Sequence, residues 1–201
     1  VEGYADNFFS WVYDFNNDGW NDVFVVGFPG TPAYVYENPK KEGLDAHWKK
    51  HQVFDWVSNE SPQFVDMFGD KLPELVCTRD GFFGFATIDP DKPLGEWKFH
   101  PVSEQVTDGR FGHGLGIGDI NGDGRPDIVL ASGWLEAPEN PFGGEWPLHP
   151  EFDLGPSASV PILVHDVNGD GLNDLIVGAG HDYGIFWWEQ QRDGDGNRTE
   201  I

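Results

Sequence analysis

The chain has 201 residues, with 35 acidic side chains against 12 Lys and Arg, giving a formal net charge of −23 and a pI near 4.3. No basic cluster is available to neutralise phosphates, which excludes a nucleic-acid partner. No stretch approaches the ~20 apolar residues of a membrane-spanning helix. Nine Trp and 16 Phe supply a packed core despite 27 Gly and 15 Pro, so the chain is expected to fold. Cys77 is the only cysteine and cannot form an intrachain disulfide; in the run Leu75-Val76-Cys77 it reads as a buried small hydrophobe. The chain carries no initiator Met and no leader-like segment, so the expectation is a fragment or processed form.

In chain order, the first apolar stretch is Phe8–Tyr13, followed by the acidic string Asp14-Phe-Asn-Asn-Asp18-Gly-Trp-Asn-Asp22 and the aliphatic run Val23–Val26. A Gly/Pro turn at 27–30, an aromatic strand ending near Tyr36-Glu37 and a strand around Trp48-Lys-Lys-His51 complete a unit. A second unit carries a worn string, Asp66-Met-Phe-Gly-Asp70-Lys71-Leu-Pro-Glu74, then Leu75–Cys77 and Trp97-Lys-Phe-His100. The third restores the acidic string at Asp119-Ile-Asn-Gly-Asp123-Gly-Arg-Pro-Asp127, with Ile128–Leu130, Leu135-Glu136 and Trp146-Pro-Leu-His149 following. The fourth has Ile162–Val164, the string Asp166-Val-Asn-Gly-Asp170-Gly-Leu-Asn-Asp174, Leu175–Val177 and Trp188-Glu189, and no Trp-x-x-His before Ile201. Four short strands in a unit of roughly 50 residues is the pattern of a β-propeller blade. The predicted fold is all-β, of four-stranded antiparallel blades at 7–56, 57–104, 105–152 and 153–201, the last incomplete. A single closed ring takes about 4–8 blades, and the expectation is part of a larger propeller.

The acidic string places oxygen side chains at alternate positions and a Gly at the sixth, where a tight loop bends sharply. Hard oxygens in that number suit Ca²⁺ better than Mg²⁺, and a loop without Cys or His argues against zinc. An EF-hand needs a Glu at position 12 and flanking helices; here position 12 is Val25, Leu130 and Val177, inside strand runs.

The loop followed by an aliphatic strand resembles the FG-GAP/VCBS repeats of integrin-like β-propellers, which usually have seven blades. The resemblance implies three Ca²⁺ sites: Asp14, Asn16, Asp18 and Asp22; Asp119, Asn121, Asp123 and Asp127; and Asp166, Asn168, Asp170 and Asp174. The worn copy has Phe68, Lys71 and Glu74 where the pattern has Asn, Gly and Asp, so no ion is expected there, and Lys71 is expected to offset its carboxylates. The family implies a location outside the cytoplasm (extracellular, periplasmic or cell-surface) and a carbohydrate or protein ligand.

His51, His100 and His149 recur in phase and read as scaffold. Residues unique to one blade at a shared blade end read as site. These are Glu60, Arg79, Asp80, Arg110, His113, Trp134, His181, Asp182 and Tyr183, a set able to hold a further divalent ion, do acid–base chemistry or stack a sugar on Trp134. Gly112-His-Gly-Leu-Gly116 and the Trp-Glu strands are similar to the propeller of aldos-2-ulose dehydratase-like proteins. That likeness implies elimination of water from a keto-sugar, with His113, His181, Glu60 and Asp80 as the first catalytic candidates.

Overall fold

The computed structural model describes residues 7–105, 111–155, 158 and 161–195. Among them there is no α-helix; a single 3-10 turn spans Lys40–Glu42. The first four strands are β1 (Asn7–Tyr13), β2 (Asp22–Gly27), β3 (Ala33–Glu37) and β4 (Lys49–Phe54), in one antiparallel sheet in sequence order. A second such sheet holds β5 (Gln63–Val65), β6 (Glu74–Arg79), β7 (Phe82–Thr87) and β8 (Lys98–Pro101). Next come β9 (Leu115–Gly118), β10 (Asp127–Leu130), β11 (Gly133–Leu135) and β12 (Leu148–His149), then β13 (Ile162–His165), β14 (Asp174–Gly178) and β15 (Ile185–Trp188). Each acidic loop therefore joins two strands, as the position-12 residues foretold, and each Trp-x-x-His string enters or abuts an outer strand.

The second strands of the two middle blades, β6 and β10, are nearly uninterrupted buried runs because both of their faces are covered, one against each neighbouring blade. In β6, Leu75 and Cys77 point into a core shared with β1–β4, while Val76 points into the next core with Phe85, Leu115 and Ile128. In β10, Ile128 and Leu130 face that second core, and Val129 faces a third with Ile162, Leu175 and Val177. The period-2 alternation thus divides one strand between two cores. Cys77 is fully buried, and burial pushes its thiol pKa up, as expected of an inert packing residue.

The outer strands are laced by a bond repeated in phase. The Trp97 N–H donates to Val53 O and the Trp146 N–H to Val102 O, each at 2.7 Å. The scaffold histidines close their own blades: His51 Nε2 meets Glu37 at 2.8 Å, His149 Nε2 meets Glu136 at 2.7 Å and His100 Nε2 meets Thr87 Oγ1 at 3.0 Å.

One departure from separate four-stranded sheets occurs. Strands β9 and β13, the first of their blades, pair in parallel, so β9–β15 form one seven-stranded sheet. The glycines of β9 permit this close approach: a Cβ on Gly116 would overlap the Ile162 carbonyl oxygen, and one on Gly118 would overlap Val164. Gly116→Val is expected to break the seam and cost roughly 1–3 kcal/mol, read as a lower urea midpoint at unchanged slope; an unaltered midpoint would show that the seam does not need the glycine.

Candidate functional site

The three intact loops share one geometry built on their first aspartate. Asp14 Oδ1 accepts the Asp18 N–H (3.0 Å) and Asp14 Oδ2 the Gly19 N–H (2.8 Å). Asp119 does the same for Asp123 and Gly124, and Asp166 for Asp170 and Gly171. The Gly171 N–H foremost, against some desolvation, holds Asp166 below the usual carboxylate range. The third-position Asn16, Asn121 and Asn168 each accept the N–H of the fifth-position Asp. At the sixth position Gly19, Gly124 and Gly171 have φ of 84–86°, the left-handed bend that excuses a Cβ.

The fifth-position carboxylates remain toward solvent and gather side-chain donors, two of them cationic. Lys40 Nζ lies 3.1 Å from Asp18 Oδ2, Arg125 pairs with Asp123, and Asn168 Nδ2 donates to Asp170. The ninth-position aspartates have a role that spacing did not reveal. Asp22, Asp127 and Asp174 are completely buried, each clamping two backbone N–H groups from either side of its strand. For Asp127 these are Ile120 and Ala137, both at 2.8 Å. Burial pushes Asp127 up to about 6 against those two bonds.

In the worn loop, Lys71 takes the glycine's place with φ of 75° and meets Asp66 through its backbone N–H at 3.0 Å. Among the described residues its ammonium forms no ion pair, so the expected charge offset is corrected to a backbone contact. Glu74 replaces the buried clamp and accepts the Met67 N–H at 2.9 Å. Burial first, then the Asp70 and Asp66 charges, push it up to about 7 from 4.5. Native Glu74 thus holds a proton that the unfolded chain releases. Its contribution is full below pH 4.5 and is lost as pH rises towards 7, up to roughly 3 kcal/mol. Glu74→Gln is expected to remove that slope from urea stability measured between pH 5 and pH 8; parallel slopes for the two proteins would contradict it.

The opposite end of the blades holds a different constellation. Acidic loops follow the first strands, whereas Glu60 precedes β5, His113 precedes β9 and His181 follows β14. Backbone bonds draw these segments together: Phe111 N–H to Ser58 O and Glu60 N–H to Gly112 O, each 2.9 Å, with an isolated parallel bridge between Asn59 and Gly112. Gly114, at φ 69°, lets the chain pass Ala158. The result is a row in which Glu60 Oε2 lies 3.0 Å from His113 Nδ1 and His113 Nε2 lies 3.0 Å from His181 Nε2. Among the described residues these three are the group of His, Cys, Asp and Glu whose ligand atoms all fall within 4.8 Å of one another. His113 and Glu60 are mostly buried, at 22% and 20% side-chain exposure. His113 Nδ1, though close to Glu60, is out of line for a hydrogen bond and has no other partner. Two imidazoles and a carboxylate with an unsatisfied ring nitrogen form a donor set suited to a borderline divalent ion.

Asp80 does not join them. The β6–β7 hairpin turns on Asp80-Gly81 alone, with φ of 54° and 84°, and this tight turn leaves Asp80 exposed, 3.8 Å from Arg79 Nε. Arg79 bonds Asp55 at 2.8 Å. The β14–β15 turn is longer, spanning 179–184, and reaches far enough to deliver His181. Trp134 is buried, stacked on His149 with centroids 4.2 Å apart and its indole N–H on Glu151, so it offers no face to a sugar. Tyr183 and Asp182 are exposed beside His181; Arg110 lies outside the described residues.

Three rings that the sequence reading did not single out as a group occupy the same end. Phe8 at the start of β1, Phe28 after β2 and Phe111 before β9 form an edge-to-face chain, 5.9 Å and 5.4 Å between centroids. Phe111 has φ of 70°, a conformation a bulky side chain rarely holds and one that costs on the order of 1–3 kcal/mol.

Comparison with known proteins gives three findings. The FG-GAP repeat family model matches residues 111–135. A T-cell immunomodulatory protein homolog from Plasmodium falciparum is 26% identical over 168 residues, covering 71% of this chain and 22% of that protein. Among solved structures, one described as the basis of specific recognition of non-reducing terminal N-acetylglucosamine by an Agrocybe aegerita lectin superposes with a TM-score of 0.55 at 17% identity, over 95% of this chain and 50% of that one. The V. cholerae biofilm matrix protein Bap1 gives 0.46 at 19% identity over 96% and 30%. The chain therefore spans half the length of the lectin and about a fifth of the Plasmodium relative. Three inter-blade cores and strand-flanked acidic loops make the chain an array of β-propeller blades, in which residues 111–135 match the FG-GAP repeat model.

Proposed function

We propose that this chain is part of a calcium-stabilised propeller module acting outside the cytoplasm, which binds a carbohydrate at the blade end holding Glu60, His113 and His181. The observation that carries the reading is the convergence of those three side chains from three successive blades. Blade-end clusters of this kind belong to no single blade's stability and are where propellers present ligands with polar groups. The fold shared with a lectin that recognises N-acetylglucosamine supports the ligand class. Calcium fits the loops because their donors are all oxygens, already turned by Asx-type bonds. Asp14, Asn16 and Asp18 and their equivalents would hold it, joined by Asp22, Asp127 and Asp174 through lone pairs not engaged by N–H groups. A second divalent ion, of the zinc class, fits Glu60, His113 and His181.

The test is calorimetric titration of the chain, in calcium, with N-acetylglucosamine and other monosaccharides, alongside Glu60→Gln and His181→Ala. Binding weakened about tenfold or more by these changes supports the reading. No binding, or binding indifferent to both changes, sinks it.

The same cluster favours a second reading, elimination of water from a keto-sugar. A neutral imidazole of His113 or His181 would take the proton α to the carbonyl, the β-hydroxyl would leave as water on receiving a proton from the imidazolium so formed, and the Glu60 carboxylate would stabilise that charge. A bound divalent ion would supply polarisation of the carbonyl oxygen. Appearance of a conjugated enone in the ultraviolet, lost in His113→Ala, is the diagnostic result.

A further inference from the structure

We infer that Phe8, Phe28 and Phe111 form a stacking subsite for a neutral pyranose ring, adjoining the Glu60–His113–His181 row; the inference rests on the carbohydrate reading above. The rings are 42%, 40% and 44% exposed, whereas their neighbours Phe9 and Trp11 pack against the first core. Exposed aromatic side chains scattered singly need no explanation, but three from separate segments joined in a row through Phe28 do.

The backbones that carry Phe28 and Phe111 are fixed by hydrogen bonds. The Phe28 carbonyl accepts both the N–H and the hydroxyl of Thr31, at 2.9 and 2.7 Å, and the Gly30 N–H anchors the turn to Val57 O at 2.7 Å. Phe111 is fixed by its N–H on Ser58 O and kept in a left-handed conformation that an asparagine or glycine would adopt more readily. An apolar ring kept exposed on strained backbone is a common mark of a binding position. The rings meet edge to face, at 80° and 63°, so each contact covers a face of only one of its two rings, where stacking would cover a face of both.

The occupant follows from the company these rings keep. His113 stands two residues after Phe111, and Glu60 two residues after Ser58, the bonding partner of Phe111. A pyranose has an apolar C–H face and a rim of hydroxyls, matching an apolar platform with hydrogen-bonding groups at its edge. A uronic acid is disfavoured by the Glu60 carboxylate and by a chain carrying −23. Apolar side chains packed on the rings would bring no hydroxyl to the Glu60–His113 pair, whereas a pyranose carries its hydroxyl rim with its apolar face.

The experiment is saturation-transfer NMR on the whole chain in calcium, with the methyl glycosides of glucose, galactose, mannose and N-acetylglucosamine, and with glucuronate as the anionic comparator. The expected result is transfer concentrated on the C–H protons of at least one neutral glycoside and none to glucuronate. Phe28→Ala and Phe111→Ala should each weaken that glycoside at least tenfold without changing the thermal midpoint, and Phe111→Tyr, which keeps the ring, should retain it. Should Phe111→Ala unfold the chain, Phe28→Ala and Phe8→Ala decide alone. If a glycoside binds and its affinity ignores the phenylalanines but falls in Glu60→Gln, the subsite is wrong while the carbohydrate reading stands. Preferential transfer to glucuronate also overturns the subsite. If no glycoside binds, both fall.

Discussion

Stripping divalent ions with EDTA is expected to lower the midpoint of thermal unfolding by roughly 15–30 °C, with full recovery on adding calcium. An ion that binds only the native state stabilises by about 2.7 kcal/mol per site when its concentration is 100 times the dissociation constant. Three such loops give roughly 8 kcal/mol, and a chain of this size gains about 2–4 °C per kcal/mol. The physical source is the charge each loop gathers. Asp119 accepts the Asp123 N–H across a short bend closed by the buried Asp127, and burial first, together with the Asp123 and Asp119 charges, raises the Asp127 pKa to about 6. A cation in the bend converts that repulsion into attraction. Single-loop variants separate the contributions: Asp166→Ala should remove about a third of the calcium effect, and Asp66→Ala, in the worn copy, none of it. A midpoint indifferent to both EDTA and calcium would end the calcium reading and leave the loops as self-bonded turns.

Trp97→Ala should cost about 3–5 kcal/mol, a large share of the 5–15 kcal/mol that holds a typical domain. Trp97 is 2% exposed and fills the junction between the first two blades. Its ring lies 4.7 Å from Phe24, 5.6 Å from Phe15 and 5.9 Å from Phe64, nearly parallel to the last at 9°, and those three rings also contact one another. The indole N–H is satisfied by Pro93 O at 3.1 Å, and the backbone N–H holds Val53 O. Truncation therefore opens a cavity lined by rings from two sheets that cannot collapse independently. Trp20→Ala, on the surface, should change stability by less than about 0.5 kcal/mol. Urea unfolding at fixed calcium measures both, and a Trp97→Ala cost near 1 kcal/mol would mean that the junction relaxes.

Much of the site was legible because repeats place equivalent residues at equivalent blade ends. Counting from each acidic loop, Glu60 and His113 fall at one offset and His181 at another, and the structure brings the three together. The same counting failed for Asp80 and Trp134. Asp80 sits in a hairpin too tight to reach the cluster, and the Trp134 ring turned inward onto His149. Turn length and side-chain facing are not set by period alone. Phe111 was missed because nothing in its neighbours announces a positive φ; that comes from its bond to Ser58, a residue of another blade.

The amino-acid sequence by itself determined the strands, the acidic turns between them and the alternation of apolar residues, because each depends on neighbours a few positions away. The in-phase Trp-x-x-His strings likewise marked the outer strands. Tertiary structure alone decided the rest. It made Asp22, Asp127 and Asp174 buried clamps on two backbone N–H groups, and it fused two blades where Gly116 and Gly118 let β9 lie against β13. It also set Glu60, His113 and His181 in one row beside three exposed rings. Those outcomes depend on which segments approach across blades, and that approach is governed by packing between sheets rather than by local pattern.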